Sequence, residues 1–269
     1  MVQPKPNAPR ALAPDPTIYP VEDDVGEDMI QRWIAETLRP LLERWLQEQG
    51  KVAFVGADQF IYWIQHHPLR RLSPDVYVLP GVDPTTRVRS WKTWEHGFGP
   101  SFALEVVSLD WEKDYVDTHE AYDELGVAEV MVVDPDHGRH PERVLWQVFR
   151  RLRGRGLVRI EATNEDRVRS KQLECFLRAV GDGRAMRVRL GVGPRGERLV
   201  PTDAERAEAG TKRAEAEARR AEAEAKRAED ATARAAAEGL RADGAEAKLR
   251  ALEAELRALQ AAPRPRRQR

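Results

Sequence analysis

The feature that most constrains the fold is a series of three short apolar segments, two of which carry a carboxylate. Asp75 opens the first segment, and Glu105 lies inside the second. The composition between residues 112 and 125 favours a helix, which Gly126 follows. The order strand, helix, strand predicts an α/β fold with a mixed central sheet flanked by helices. The three segments span residues 75–79, 102–107 and 129–133.

Other parts of the body fit the same fold class. Apolar residues recur at three- and four-residue steps between about residues 24 and 49, which predicts a helix that Gly50 ends. Pro40 lies inside that stretch, and we expect it to kink the helix or to split it in two. Further strands are predicted at residues 52–55, 59–64, 145–151 and 157–161.

Composition and charge narrow the class of protein. The chain has 269 residues, enough for one core domain of ordinary size with an appendage. Its one cysteine, Cys175, excludes an internal disulfide framework and suits a reducing cytosol, so we expect a cytoplasmic protein. No apolar stretch approaches the length of a membrane span, so no membrane partner is expected. The formal net charge of −1 argues against strong non-specific binding to DNA.

The charge is nevertheless uneven along the chain. The segment from Arg139 to Lys171 contains ten basic residues and only four acids. A basic surface of this kind could follow a phosphate backbone. A solvated hairpin with arginines on its outer face explains the segment equally well.

The segment from Asp203 to about residue 262 differs from the body. It repeats alanine and charged residues every seven positions, which predicts a long helix with many ion pairs one turn apart. Four leucines near its end have coiled-coil spacing and predict self-association into a homo-oligomer, with a lone solvated helix as the alternative. These leucines are Leu249, Leu252, Leu256 and Leu259. The predicted divisions are a Pro-rich disordered arm, a core domain, this helix and a basic disordered tail, at residues 1–20, 21–201, 202–262 and 263–269.

The two carboxylates are the candidate functional site. A carboxylate inside an apolar strand is costly to bury unless it is paired or binds a metal ion. Hard cations such as Mg²⁺ or Mn²⁺ prefer oxygen ligands, which Asp75, Glu105 and the backbone carbonyl of Val106 could supply. The pattern favours a metal-dependent hydrolase of the nuclease type. Each acid also has a purely structural interpretation, since Asp75 could be a turn residue after Pro74, and Glu105 could face solvent on an alternating strand.

Several motifs follow one another in the order found in a known family. They are Pro74-Asp75, Trp91-Lys92-Thr93-Trp94-Glu95, Glu105-Val106-Val107-Ser108, Tyr122, Gly126-Val127, Glu129 and Val133-Asp134-Pro135. In this order the chain resembles the Uma-type putative restriction endonucleases of the PD-(D/E)XK nuclease superfamily, over about residues 19–201. The resemblance implies a restriction-endonuclease-like core and hydrolysis of DNA phosphodiester bonds.

The resemblance also implies roles for individual residues. Asp75 and Glu105 would bind Mg²⁺ or Mn²⁺, with help from an acid on the first helix, where Glu27 and Asp28 lie.

The chain departs from the family pattern at the activating lysine. Val107 stands two residues after the glutamate, and Thr118 stands four residues before Tyr122. Lys113 lies nearby and could take over the catalytic role.

Loss of that lysine leaves other functions open. One alternative is a catalytically degenerate member that binds DNA or protein and oligomerises through its helical tail. Another is an accessory factor in defence against phages or transposons that does not contact nucleic acid.

Overall fold

The computed structural model describes residues 16–20, 29–108 and 111–261. Its helices are α1 (Met29–Glu48), α2 (Thr93–His96), α3 (Trp111–Leu125) and α4 (Asp203–Ala261). Its strands are β1 (Ala53–Gly56), β2 (Phe60–Tyr62), β3 (Arg71–Leu72), β4 (Val76–Pro80), β5 (Ser90–Lys92), β6 (Phe102–Val106), β7 (Glu129–Val133), β8 (Trp146–Leu152), β9 (Gly156–Thr163), β10 (Arg167–Arg169), β11 (Phe176–Val180), β12 (Arg187–Val192) and β13 (Arg198–Leu199). The predicted α/β class is confirmed.

A six-stranded mixed sheet forms the centre of the body, in the order β1-β4-β6-β7-β8-β9. Neighbouring strands are antiparallel except β6 and β7, which are parallel. Parallel neighbours need a crossover connection, and α3 supplies it. The predicted unit of strand, helix and strand is therefore confirmed. Because β6 and β7 are parallel, they finish at the same end of the sheet, where the antiparallel β4 begins.

The two faces of this sheet are covered by different elements. Alternation along β6 sends Phe102 and Leu104 to one face and Ala103 to the other. The first face packs against the apolar side of α1, and the second packs against α3. A side chain on β6 is therefore covered by a helix whichever way it points.

α1 is continuous through its proline. The helix runs from Met29 to Glu48 with Pro40 inside it, so the prediction that Pro40 splits the helix is wrong. Pro40 removes one backbone hydrogen bond, but the fully buried Leu38 and Leu42 on either side hold both halves against the sheet. Packing of these leucines, each stabilising by about 2 kcal/mol, outweighs the lost bond.

Two smaller sheets accompany the central one. One is antiparallel with the order β10-β11-β12-β13, and the other has the order β3-β2-β5. Of these strands only β2 was predicted from the sequence. β10 and β12 alternate arginine with apolar residues, and their apolar side chains, including Val168 and Leu190, join the core that covers α1. Arginine-rich strands lack the continuous apolar run that marks a central strand.

The chain divides into two compact units between Thr202 and Asp203. The second unit contains α4, one continuous helix of 59 residues that passes through Gly239 and Gly244. Its described side chains are exposed. Across the described part of the chain, every helix is too short or too polar to cross a membrane.

Candidate active site

Asp75 and Glu105 face each other across two neighbouring strands. In the register of β4 and β6, Val76 pairs with Leu104 and Tyr77 pairs with Ala103. One further step in this register places Asp75 opposite Glu105. Both side chains have the parity of the face that α3 covers. We call Asp75 and Glu105 the acid pair, and the end of the sheet where they lie the acid end.

Asp75 is a buried carboxylate, with only 5% of its surface exposed. Its Oδ2 accepts a hydrogen bond from the Val106 amide at 2.6 Å. Burial, followed by the negative charge of Glu105, raises the pKa of Asp75 well above its ordinary value, although the Val106 amide acts in the opposite direction. Among the described residues, no arginine or lysine forms an ion pair with Asp75. Asp75 lies in a bend directly before β4, as its interpretation as a turn residue expects, but its side chain is buried beside Glu105 instead of facing solvent.

Tyr122 reaches the acid pair from α3. Its side chain is fully buried, and its hydroxyl donates a hydrogen bond to Oε1 of Glu105. Burial and the negative charges of Glu105 and Asp75 raise the pKa of Tyr122 well above its ordinary value, so the phenol keeps its proton. Glu105 is half-buried beneath α3, which excludes the interpretation that it points freely to solvent. The contact between Tyr122 and Glu105 was not predicted from the sequence.

Gln31 is a further residue of the acid end that the sequence analysis missed. From the first turn of α1, its Nε2 donates to the backbone carbonyl of Val106 at 3.1 Å. This is the carbonyl that was predicted to accompany the acid pair. A carbonyl oxygen has two lone pairs, so one remains for another partner. The predicted assisting acids of this helix, Glu27 and Asp28, lie outside the described residues.

Asp58 is the second residue that was missed. It lies in the turn after β1 with a φ of 61°, a left-handed conformation that aspartate tolerates better than most residues. Its amide donates to the Pro74 carbonyl at 3.0 Å, next to Asp75 in the chain. The charge of Asp58 contributes to raising the pKa of Asp75 and also raises that of Tyr77, where burial is the larger cause. The turn motif was visible in the sequence, but its approach to Asp75 depends on strand pairing.

The activating lysine is the least defined part of the predicted site. Val107, at the position where the superfamily has lysine, is 6% exposed and packs in the apolar cluster between the sheet and α3. Lys113 lies in the first turn of α3, but its side chain, like that of Thr118, is outside the described residues.

As the side chains stand, no three Asp, Glu, His or Cys residues of the described chain come close enough to hold a metal ion. The acid end therefore offers two carboxylates and one carbonyl. Mg²⁺ is commonly bound by one or two carboxylates while it keeps several waters, so this donor set fits such an ion.

The basic segment between Arg139 and Lys171 is not one continuous surface. Several of its arginines form ion pairs within the body, namely Arg143–Asp134, Arg150–Glu129, Arg151–Asp123 and Arg167–Asp166. The exposed turn between β8 and β9 carries Arg153 and Arg155 at the end of the sheet opposite the acid pair. Arg139 instead follows β7 at the acid end. The predicted stripe is thus divided between the two ends of the sheet.

Comparisons with known proteins give one family match and one distant structural similarity. A family model described as "Uma2: Putative restriction endonuclease" matches residues 25–199. A solved structure titled as a putative nuclease belonging to DUF820 from Anabaena variabilis ATCC 29413 is similar at 13% identity, with a TM-score of 0.38. That similarity covers 55% of this chain and 75% of the other. No curated protein matches the chain.

Proposed function

Because the chain belongs to the Uma2 family of putative restriction endonucleases, we propose that it is a metal-dependent endonuclease that hydrolyses phosphodiester bonds of DNA. Family membership supports a nuclease-like function. Metal dependence, with Mg²⁺ or Mn²⁺ as the cofactor, and hydrolysis at the acid pair are the parts that we propose. DNA is the expected partner.

The observation that carries this proposal is the acid pair itself. Two carboxylates lie opposite each other on β4 and β6, and Asp75 is almost fully buried without a cationic side chain among the described residues to neutralise it. Its pKa is raised mainly by burial and by Glu105. A bound divalent cation would favour the ionised form of both acids, and when bound it supplies charge neutralisation on a phosphate and a more acidic water.

The surrounding residues hold these oxygens in position. The Val106 amide binds Oδ2 of Asp75. Tyr122 binds Oε1 of Glu105. Gln31 binds the Val106 carbonyl. Each contact restricts one oxygen donor in advance, which lowers the cost of ordering the site when a cation and a phosphate enter.

Val107 favours a second candidate function. The missing lysine would otherwise stabilise charge that develops on the phosphate in the transition state. An apolar, buried Val107 cannot do this. A protein that binds DNA or protein at this surface without cleaving it is therefore the alternative, and Lys113 is the residue that could rescue catalysis.

Cleavage assays on plasmid and single-stranded DNA, with Mg²⁺ or Mn²⁺, test the proposal. We expect Asp75→Asn and Glu105→Gln to reduce cleavage by at least about a hundredfold. Asp83→Asn is the matched control, because Asp83 is an exposed acid beyond β4 at the opposite end of the sheet. Lys113→Ala tests the substitute lysine.

The outcomes separate the two functions. Cleavage that survives both acid variants would place the chemistry elsewhere. Absence of cleavage by the folded wild-type protein with either metal would favour the binding function.

A further inference from the structure

The connection between β7 and β8 forms a pocket at the acid end. Asp134 follows β7 and forms a buried, two-pronged contact with Arg143, through Nε at 2.7 Å and a terminal nitrogen at 2.5 Å. The Asp136 amide also donates to Oδ1 of Asp134 at 2.9 Å. These contacts close the connection into a fixed loop. We call the space on its outer side the loop pocket, lined among others by His137, Arg139, His140, Arg143 and Asn164, with a volume of about 390 Å³.

The side chains of the loop pocket present hydrogen-bond donors. Nδ1 of His140 accepts from the Glu142 amide at 3.4 Å, and in the neutral tautomer that makes this contact Nε2 carries the hydrogen. Oδ1 of Asn164 accepts from the Leu145 amide at 2.9 Å, so its amino group is the remaining polar end. Arg139 adds a guanidinium whose side chain is 70% exposed while it pairs with Asp136 at 3.1 Å.

No carboxylate is among the described residues that line the loop pocket. Asp136 and Asp134 pair with Arg139 and Arg143, but the concave surface itself presents a guanidinium, an imidazole N–H and an amide NH₂, which are donors suited to an anion. Arginine in particular matches the oxygens of a phosphate.

The loop pocket and the acid pair lie at the same end of the sheet, on segments that adjoin the neighbouring strands β6 and β7. The Val107 amide, directly after β6, donates to the Val133 carbonyl at the end of β7 at 2.9 Å. Neighbouring strands are about 4.8 Å apart, so the connections that leave β6 and β7 start from adjacent points. The Trp111 ring, at the start of α3, lies 5.2 Å from the His140 ring and joins the pocket wall to the connection after β6.

We propose that the loop pocket holds a backbone phosphate of the nucleic-acid substrate, next to the phosphodiester at the acid pair. This inference rests on the proposed function for its substrate. A nucleic-acid strand carries a phosphate at every nucleotide. A strand with one of its phosphates at the acid pair can therefore place a neighbouring phosphate at the loop pocket. Arg139 and His140 then act in substrate binding and positioning.

The test measures DNA affinity separately from cleavage. Fluorescence anisotropy with a labelled duplex and a labelled single strand, in EDTA to prevent cleavage, compares wild type with Arg139→Gln and His140→Gln. We expect Arg139→Gln to weaken binding about tenfold and to lower the slope of log affinity against log salt by about 0.9 for the duplex. His140→Gln should weaken binding by a smaller factor. Arg155→Gln removes the same charge from the turn at the opposite end of the sheet and should leave affinity nearly unchanged.

Equal losses in Arg139→Gln and Arg155→Gln would overturn the proposal, because they would reflect net charge alone. Undetectable DNA binding by the folded wild type would also overturn it. A calorimetric titration with inorganic phosphate forms a further arm. Arg139-dependent binding of phosphate without binding of DNA would identify a free anion and would overturn the assignment to nucleic acid.

The two proposals fail in different ways. Cleavage that depends on Glu105 together with unchanged affinity in Arg139→Gln would overturn the loop pocket and leave the endonuclease intact. Arg139-dependent affinity without any cleavage would support the loop pocket and overturn the endonuclease. Thermal melting of each variant verifies that it is folded.

Discussion

Glu105 is held from two sides by residues from different elements. Tyr122 of α3 donates to it, and Asp75 lies opposite it on the neighbouring strand. The hydroxyl of Tyr122 positions Oε1 of Glu105, while the two neighbouring carboxylates repel each other when both are charged. The site is therefore ordered but electrostatically unfavourable until a cation or a proton is added.

Replacing Tyr122 with phenylalanine tests its positioning role. The change keeps the buried ring and removes the donor to Glu105, so we expect a loss of about 1 kcal/mol in the free energy of unfolding. Cleavage should then require a higher concentration of Mg²⁺ or Mn²⁺, because Glu105 is less well held. Metal titrations of cleavage rate provide the measurement.

Tyr77→Phe is the matched control for Tyr122→Phe. Tyr77 is buried on the same face of the sheet, but its hydroxyl donates to Oε1 of Gln59 at 2.9 Å. Its removal should cost similar stability without a change in metal requirement. Equal shifts in metal requirement for both variants would show that Tyr122 acts only through stability.

The raised pKa of Asp75 predicts a specific dependence of stability on pH. Between the ordinary pKa of the unfolded state, about 3.9, and the raised pKa of the folded state, the folded protein binds more protons than the unfolded protein. The contribution of Asp75 to the free energy of unfolding therefore falls as pH rises through this window. Asp75→Asn has no carboxylate to ionise, so this loss disappears in the variant.

Thermal denaturation in EDTA between about pH 4 and pH 8 measures this effect. The melting temperature of Asp75→Asn, relative to that of the wild type, should increase with pH. The melting temperature of Asp83→Asn relative to that of the wild type should not increase over this range, because hydrogen bonds from Thr85 lower the pKa of the exposed Asp83. A difference between Asp75→Asn and wild type that is constant or shrinks with pH would contradict the prediction.

At the scale of elements, the loop after β7 depends on one buried ion pair. The side chains of Arg143 and Asp134 are 7% and 1% exposed. Arg143→Met would leave Asp134 buried without its main cationic partner, and we expect a loss of about 3–5 kcal/mol in the free energy of unfolding. Denaturant titration is the measurement. The double variant Asp134→Asn/Arg143→Met should recover part of this loss, because no charge then remains buried.

Arg70→Met is the control for the buried pair. Arg70 and Glu124 form an ion pair whose side chains are 50% and 44% exposed, so its loss should cost at most about 1 kcal/mol. Similar losses in Arg70→Met and Arg143→Met would mean that burial does not strengthen the Asp134–Arg143 contact.

The elements differ in how far sequence predicts them. The six strands of the central sheet follow apolar runs, and all six were predicted to within a few residues. Asp75 and Glu105 were proposed from the sequence as ligands of one cation, but their position opposite each other depends on the pairing of β4 with β6, which the sequence does not give. The contact with Tyr122 was not predicted either, because it depends on which face of the sheet α3 covers. Gln31 was missed because an acid, not an amide, was expected on the first helix.

At the scale of the whole molecule, the body and α4 have different physical characters. The body buries two apolar clusters, whereas the described side chains of α4 are all exposed. Helix propensity and ion pairs one turn apart explain why α4 is helical. They do not explain the leucines at coiled-coil spacing near its end, which we call the leucine stripe: Leu249, Leu252, Leu256 and Leu259. Burial of that stripe against a second copy of the chain would stabilise both the helix and an assembly of two copies.

Self-association through α4 remains a prediction that hydrodynamic measurement can test. Leu249, Leu252 and Leu256 are 58%, 63% and 58% exposed and lie on one side of the helix. Sedimentation velocity should show a homo-oligomer for the wild type and a monomer for Leu249→Ala/Leu252→Ala/Leu256→Ala. Alanine is a better helix former than leucine, so circular dichroism should show that the variant keeps its helix.

Leu240→Ala provides the matched control for the leucine stripe. Leu240 is also exposed, at 75%, but it lies about a third of a turn away from Leu252 around the helix axis. Its removal should leave sedimentation unchanged if the stripe forms the contact. A monomeric wild type at concentrations of about 100 μM would contradict self-association through α4 and favour a lone solvated helix. An oligomer that survives the triple substitution would place the contact on another surface of the chain.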